Sequence, residues 1–368
     1  MGTHSPEDSD TTSDRRWMRR ALGLAKRGWG QTAPNPLVGA VIVRNGVLVA
    51  EGYHARFGEA HAEVQALAQA GVMARGADVY VTLEPCSHSG KTPPCADALL
   101  AAGVRRVVAA VRDPGADSAG GAERLRSAGV AVELGMEERA ARELNAPFFF
   151  SSADGGRPWI TLKLALSIEG AIASASHAQR WLSNEASRRH VHRLRAQSDA
   201  VGVGVGTAIA DDPLLTVRHG RRPRVAPLRV VFDRHARLPL EAKLVKTAYR
   251  VPTLVLGAQA DPLVVGRLQA AGVSVESAAD LDNALQVLHR RGVRSLLVEG
   301  GAELASALLA AGVVDRLIIF QTPVLLGDGA LPAFRGATPM ERLRVIERRE
   351  FGDDLMTSYA VHELPSAT

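Results

Sequence analysis

The chain has 368 residues, enough for two domains that each bury a core. With 46% hydrophobic and 23% charged residues it reads as a folded, water-soluble protein. Its formal charge of +5 is spread along the chain without a basic stripe interleaved with aromatics, which argues against nucleic acid as a partner, and no apolar run approaches the roughly 20 residues of a membrane span.

In chain order, the polar, acidic start lacks the apolar core of a secretory signal, and residues 1–13 are expected to be a disordered tail. Residues 17–27 read as an amphipathic helix with Ala21, Leu22 and Ala25 toward a core. After a Pro34-Asn35-Pro36 turn, strands over 37–43 and 47–53 flank Asn45-Gly46, a hairpin signal. A helix over 62–70 is stopped by Gly71, a strand spans 79–83, and a helix over 95–102 has Pro94 in its first turn and Gly103 at its end. A strand over 104–111 and helices over 124–129 and 137–145 follow. This alternation predicts a sheet covered by helices on both faces. Residues 154–158 are rich in turn formers and make the best linker. Beyond it, strands are expected over 160–166, 200–205, 229–232, 253–256, 273–275, 296–298 and 316–320, with helices over 184–196 and 302–311. The halves share no motif, so the chain reads as a fusion of two α/β domains, residues 14–150 and 157–368.

Chemistry concentrates in His61-Ala62-Glu63 and in the run from Pro85-Cys86 to Pro94-Cys95, which holds the only two cysteines. With two cysteines there is no disulfide framework, and both serve better as ligands in a reducing cytoplasm. His61, Cys86 and Cys95 make the three-ligand set of a catalytic zinc, whose fourth position takes water and lowers its pKa from about 15.7 toward about 7. Residues two apart do not share a helix face, so His61 and Glu63 serve one ion only off a helix N-terminus. Cys95, at a helix start, sits where a thiolate is favoured. Glu63 is left as the proton shuttle. Asn35 is either a turn former or a substrate contact. In the second half, Gly202-x-Gly204-x-Gly206-Thr207 and Glu299-Gly300-Gly301 lie between strands and helices, so they are either phosphate-approaching backbone or ordinary turns. The arginine clusters at 188–195 and 218–224 are either phosphate contacts or a solvated face.

A His-x-Glu followed by Pro-Cys and a second cysteine is the signature of zinc deaminases, here with eight residues between the cysteines instead of two. With Pro34-Asn35-Pro36-Leu37-Val38-Gly39 and Thr82-Leu83-Glu84-Pro85-Cys86, the chain resembles the bifunctional pyrimidine deaminase–reductases of riboflavin biosynthesis. Thr161-Leu162-Lys163-Leu164, Arg195-Ala196-Gln197-Ser198, Gly206-Thr207, Ala210-Asp211-Asp212-Pro213 and Glu299-Gly300-Gly301 are similar to that family's reductase half, in order. The resemblance spans residues 17–363. It implies a cytidine-deaminase-like αβα sandwich followed by a dihydrofolate-reductase-like α/β domain that uses NADPH. It also implies hydrolytic removal of the 2-amino group of 2,5-diamino-6-(5-phosphoribosylamino)pyrimidin-4-one, then reduction of ribosyl to ribityl, by a cytoplasmic homo-oligomer. By position, the dinucleotide would meet Ala165, Trp181, Thr207, Asp211, Gly301, Ala302, Glu303 and Leu304. The substrates would meet Asn35, His88, Gln179, Arg195, Leu215, Arg218 and Glu299. Lys163 is the one candidate for proton transfer in the second half.

The chain departs from the family pattern at four places. The family's Ser-Leu-Asp-Gly-Arg/Lys is Ser167-Ile168-Glu169-Gly170-Ala171, without the basic residue. A substrate-contacting serine is Gln179. Asn-Pro after Asp113-Pro114 is replaced by Gly115-Ala116 in a shorter loop. Arg234 stands where a small polar residue usually follows Phe232-Asp233. These departures keep a second reading open, a paralogue whose deaminase works and whose reductase is idle or retuned; NADPH consumption separates the two.

Overall fold

The structure, a computed structural model, describes residues 6–88, 93–153, 155–175, 181–335 and 343–364, the first six of these as backbone only. They form two compact units divided in sequence at residues 154–155.

The first unit opens with α1 (Pro6–Ala25), which starts where a disordered tail is expected. Proline at the first helical position costs nothing. Further along, Asp14 is buried, accepts a hydrogen bond from Tyr80 and pairs with Arg106 at 2.6 Å, which ties the helix to the sheet. Strands β1 (Gly39–Arg44) and β2 (Val47–Tyr53) form the expected hairpin, with Asn45 and Gly46 both at positive φ as a two-residue turn requires. Then come α2 (Ala62–Ala70), β3 (Asp78–Val81), α3 (Cys95–Ala102), β4 (Arg106–Ala109), α4 (Gly121–Ser127), β5 (Ala131–Leu134), α5 (Glu138–Leu144) and α6 (Ala146–Ser152). The sheet order is β2-β1-β3-β4-β5, with β3, β4 and β5 parallel and β1 antiparallel to both neighbours.

Two glycines show how the layers close. A Cβ on Gly39 of β1 would lie 2.1 Å from the Ala21 carbonyl oxygen of α1, and one on Gly52 of β2 would lie 2.2 Å from that of Ala62 in α2. Gly52 pairs with Ala40, so these glycines point to opposite faces. Helices α1 and α2 therefore cover opposite sides, which makes the αβα sandwich. The interior holds Met18, Ile42, Val79, Leu99, Val107 and Leu125.

The second unit contains β6 (Trp159–Leu166), β7 (Ala171–Ala173), α7 (Glu185–Gln197), β8 (Ala200–Gly204), α8 (Val205–Asp211), β9 (Leu228–Phe232), α9 (Lys243–Lys246), β10 (Thr253–Leu256), α10 (Pro262–Ala270), β11 (Ser274–Glu276), α11 (Leu281–Arg290), β12 (Ser295–Glu299), α12 (Ala302–Ala310), β13 (Arg316–Gln321), β14 (Leu331–Pro332), β15 (Arg344–Phe351) and β16 (Asp354–Ala360). Its nine-stranded sheet has the order β11-β10-β9-β8-β12-β6-β13-β16-β15. The first seven strands are parallel and the last two antiparallel. Parallel strands buried on both sides read as continuous apolar runs, as in Leu296-Leu297-Val298 and Val230-Val231. The loops after β8, β9, β10 and β12 all leave from the same edge, where ligands bind in open α/β sheets. Among the described residues no helix is long and apolar enough to cross a membrane.

Candidate functional site

In the first unit, two helix starts meet. His61 is the extended residue that precedes α2, at φ −70° and ψ 165°. Cys95 is the first residue of α3, and Pro94 sits one place earlier than the first-turn position expected of it, as the residue before the helix. Cys86 lies on the loop after β3, and that loop is closed by α3, whose Cys95 N–H donates to the Cys86 sulfur at 3.4 Å and whose Ala96 N–H donates to the Cys86 carbonyl at 3.2 Å. His61 Nδ1 is 3.3 Å from the Cys95 sulfur and 3.6 Å from that of Cys86. The three ligand atoms lie within 4.8 Å of one another, and among the described residues this is the only such group. One nitrogen and two sulfurs converging this closely fit a tetrahedral zinc.

The electrostatics correct one expectation. The helix start favours the thiolate of Cys86 rather than that of Cys95, because the Cys95 thiol and N–H both donate to Cys86. Cys86 is held well below the usual thiol range and Cys95 is pushed up by donating to it. His61 is raised, first by its hydrogen bond with Cys86. Glu63, in the first turn of α2, is buried to 3% exposure, and burial pushes its carboxyl up to about 7. A carboxyl poised near neutrality suits an acid that must both take and return a proton.

A cavity of about 480 Å³ opens on this cluster and is lined by Asn35, His54, Glu63, Cys86, His88 and Asp113, among others. Cys95 lies just behind its wall, fully buried. His54 is a residue that sequence reasoning missed. One ring nitrogen is 3.3 Å from the Ala60 carbonyl and the other 3.3 Å from the Asn35 amide nitrogen, so His54 orients Asn35. Burial lowers its pKa, keeping the ring neutral and able to accept. No spacing rule marks such a histidine in sequence. The shortened loop Gly115 to Ser118 also lines the cavity, and Asp113 holds its start through the Gly115 N–H at 2.9 Å.

The second unit holds a larger cavity of about 1170 Å³ at the strand ends. Ala165, Trp181, Thr207, Asp211, Gly301, Ala302, Glu303 and Leu304 all line it, and so do Arg195, Leu215, Arg218 and Glu299. Gln179 lies outside the described residues. At the floor, Arg195 and Glu299 form a buried two-pronged ion pair, with Nη2 to Oε2 at 2.9 Å, and Arg195 also donates to the Thr216 carbonyl at 3.0 Å. These two are committed chiefly to one another; Arg218, exposed beside them, is the more open arginine. Burial lowers the Lys163 pKa, and Glu299 opposes that shift. His192 was also missed: its Nδ1 accepts the Arg218 N–H at 3.2 Å, and burial holds the ring neutral with a pKa of about 4.

The rim fits a phosphate-bearing dinucleotide. Gly301 precedes α12, and a Cβ there would lie 2.6 Å from the Thr207 hydroxyl, so glycine keeps open the space between the β8 and β12 turns. Helix starts with small residues leave N–H groups available to phosphate. Of the two readings of these glycine turns, the cavity favours phosphate approach.

A family model described as the cytidine and deoxycytidylate deaminase zinc-binding region matches residues 11–111, and one described as the RibD C-terminal domain matches residues 158–357. Riboflavin biosynthesis protein RibD of Aquifex aeolicus is 40% identical over 349 residues, covering 93% of this chain and 97% of that protein. The RibD of Escherichia coli K12 is 40% identical over 361 residues, covering 93% and 98%. Among solved structures, Acinetobacter baumannii RibD form 1 is 39% identical with a TM-score of 0.81, covering 95% of this chain and 99% of that one. A Thermotoga maritima diaminohydroxyphosphoribosylaminopyrimidine deaminase/5-amino-6-(5-phosphoribosylamino)uracil reductase is 31% identical with a TM-score of 0.82, at the same coverages. Two pockets of distinct chemistry on one chain, matched along nearly its whole length, have one common explanation: the chain belongs to the RibD family of bifunctional deaminase–reductases of riboflavin biosynthesis.

Proposed function

We propose that the first unit hydrolyses the 2-amino group of 2,5-diamino-6-(5-phosphoribosylamino)pyrimidin-4-one and that the second reduces the ribosyl group of the product to ribityl. The observation that carries this reading is His61, Cys86 and Cys95 gathered within 4.8 Å beside a buried Glu63. A zinc ion on these ligands supplies the Lewis acidity that activates water at neutral pH. Glu63 would take one proton from the attacking water and return it to the pyrimidine ring nitrogen, then take the second proton, from the hydroxyl on the attacked carbon, and return it to the leaving amine. Its buried position and raised pKa suit both transfers. Asn35, oriented by His54, and His88 hold the substrate.

In the second unit NADPH supplies the hydride. Ala165, Trp181, Thr207, Asp211 and the turn from Gly301 to Leu304 would hold the dinucleotide. Arg218 and Leu215 hold the phosphoribosyl end together with the Arg195–Glu299 pair, and guanidinium suits two-pronged phosphate contact. Lys163 lies within the influence of Glu299 on the pocket wall and is the residue placed to hand a proton to the opening sugar. The enzyme acts in the cytoplasm, where two buried free thiols stay reduced. It acts as a homo-oligomer: exposed Ile168 and Leu325 lie on segments joined by the Ile168 N–H to Val324 carbonyl bond, an apolar patch suited to self-association.

The test follows absorbance at 340 nm with zinc-loaded protein, NADPH and the diaminopyrimidine ribonucleotide. Oxidation that disappears in Glu63→Gln and returns when the deaminated intermediate is supplied supports both assignments. Ammonia release without NADPH oxidation overturns the second.

A further inference from the structure

Residues 138–152 do not form one continuous helix. α5 stops and α6 starts at Asn145, whose φ of −112° and ψ of 26° lie outside the helical range, and Pro147 follows in the first turn of α6. The Asn145 backbone serves both helices. Its N–H donates to the Ala141 and Arg142 carbonyls at 3.2 and 3.1 Å, and its carbonyl accepts the Phe148 and Phe149 N–H groups at 2.9 and 3.1 Å. Asparagine is favoured before a helix because its side chain normally caps the first turn. Here the side chain makes no cap bond. It is 4% exposed and reaches 108 residues back along the chain. The Leu37 N–H donates to its Oδ1 at 2.8 Å, and its Nδ2 donates to the Leu37 carbonyl at 2.9 Å.

That pair of bonds is the one an antiparallel neighbour exchanges with a strand residue. A single side chain thus acts as strand partner two residues ahead of β1. His54 holds the same segment through different atoms. Its N–H donates to the Val38 carbonyl at 2.9 Å, and its ring lies 3.3 Å from the Asn35 amide nitrogen. Asn35, Pro36 and Val38 line the first cavity, and so does Phe148 of α6, whereas Asn145 itself does not. One buried amide therefore ties two walls of that cavity together. Were the loop to move away, a donor and an acceptor would be left buried and unpaired.

We infer that Asn145 is a positioning residue for deamination, which holds the loop carrying Asn35 in register with the helix carrying Phe148 and so fixes the place where the pyrimidine is received. A residue present only to cap α6 would keep its side chain on that helix, and serine would serve as well. Docking Leu37 needs a donor and an acceptor on one planar group, which asparagine supplies. This inference rests on the reading of the first pocket as the deaminase site.

The experiment measures ammonia release from the diaminopyrimidine ribonucleotide by zinc-loaded, full-length protein, with zinc content and hydrogen exchange over residues 35–40 as readouts apart from activity. Asn145→Ala raises KM about tenfold, the scale of one or two lost hydrogen bonds, keeps kcat within about twofold and zinc content unchanged, and speeds exchange at the Leu37 amide. Asn145→Ser offers α6 a cap but is too short to bridge Leu37, so it behaves as alanine does. Asn145→Asp regains the missing donor only when its carboxyl is protonated, so its KM relative to wild type falls as pH falls. If Asn145→Ala does not fold, that pH profile decides. A serine variant with wild-type KM reduces Asn145 to a helix cap. An alanine variant with unchanged KM, or one that loses zinc and kcat together, makes the bridge a scaffold contact. Each of these results overturns the positioning role while leaving the deaminase site standing. Wild type that releases no ammonia overturns the deaminase reading and this role with it.

Discussion

The two pockets are built on opposite plans. In the first unit, reactive atoms are brought within 4.8 Å by two helix starts and one loop, in a cavity of about 480 Å³. In the second, residues drawn from Lys163 to Arg335 line a cavity of about 1170 Å³. A metal needs few ligands of fixed type, each close to irreplaceable. A dinucleotide needs a long surface on which many contacts each contribute a little. The first site should therefore fail abruptly under substitution and the second by degrees.

The sharpest break is expected at the metal. Cys95→Ser should abolish zinc binding, measured by metal content after dialysis, and with it all ammonia release. Reduction of the deaminated intermediate should survive. Next comes Glu63→Gln, which should retain zinc and lower the deamination rate by about 10²–10⁴-fold, the range for a lost general acid/base. Loss of metal in that variant would make Glu63 a ligand instead.

This same contrast decides what the sequence discloses. His61, Glu63, Cys86 and Cys95 are legible because the chemistry admits only those residue types and the chain holds no other cysteine. Helices Ala62–Ala70 and Cys95–Ala102 are legible to the residue because Gly71 and Gly103, both at positive φ, stop them. The reductase surface is legible only through family resemblance, since Gly204, Thr207 and Gly301 meet across two strand turns that no spacing rule connects. His54 and His192 act through a neighbour's amide or backbone and leave no pattern. Strand Arg344–Phe351 escapes notice because its edge position leaves it charged and largely exposed, as edge strands tend to be. Helices Pro262–Ala270 and Leu281–Arg290 did carry a signal, since Asp261 and Asp280 cap them through Leu263 and Asn283 N–H groups. The expected tail at 6–13 is helical because order at buried Asp14 extends toward the N-terminus.

Within the second unit the graded response can be ordered. Glu299→Gln leaves Arg195 buried without its carboxylate, so it should cost about 3 kcal/mol of that unit's stability in denaturant melts as well as most reductase activity. Ammonia release should continue. His192→Ala should be milder, because Arg218 remains and only its backbone anchor is lost. KM for the phosphoribosyl substrate should rise about tenfold with kcat within about twofold, and His192→Asn, which restores an acceptor, should recover part of the loss. A drop in kcat at unchanged KM would mean that His192 touches the reacting atoms.

The smallest effect is on stability against pH. His190 packs 4.8 Å from Phe351 and 6.2 Å from Phe320, its Nδ1 has no hydrogen-bond partner, and burial holds its pKa at about 4, with the charges of Arg349 and Arg193 adding to the shift. An unfolded chain takes up this proton near pH 6.5, whereas the folded chain does so only near 4. Between those values the unfolded state binds more protons, so stability falls as pH falls through that window and levels off below it. His192 adds a second contribution of the same sign. His190→Phe keeps the aromatic packing but removes one titrating group. It should flatten the second unit's stability between pH 6.5 and 4 by about 1 kcal/mol per pH unit while leaving zinc content unchanged. An unaltered slope would mean that His190 is protonated in the folded protein and finds an acceptor for its second N–H.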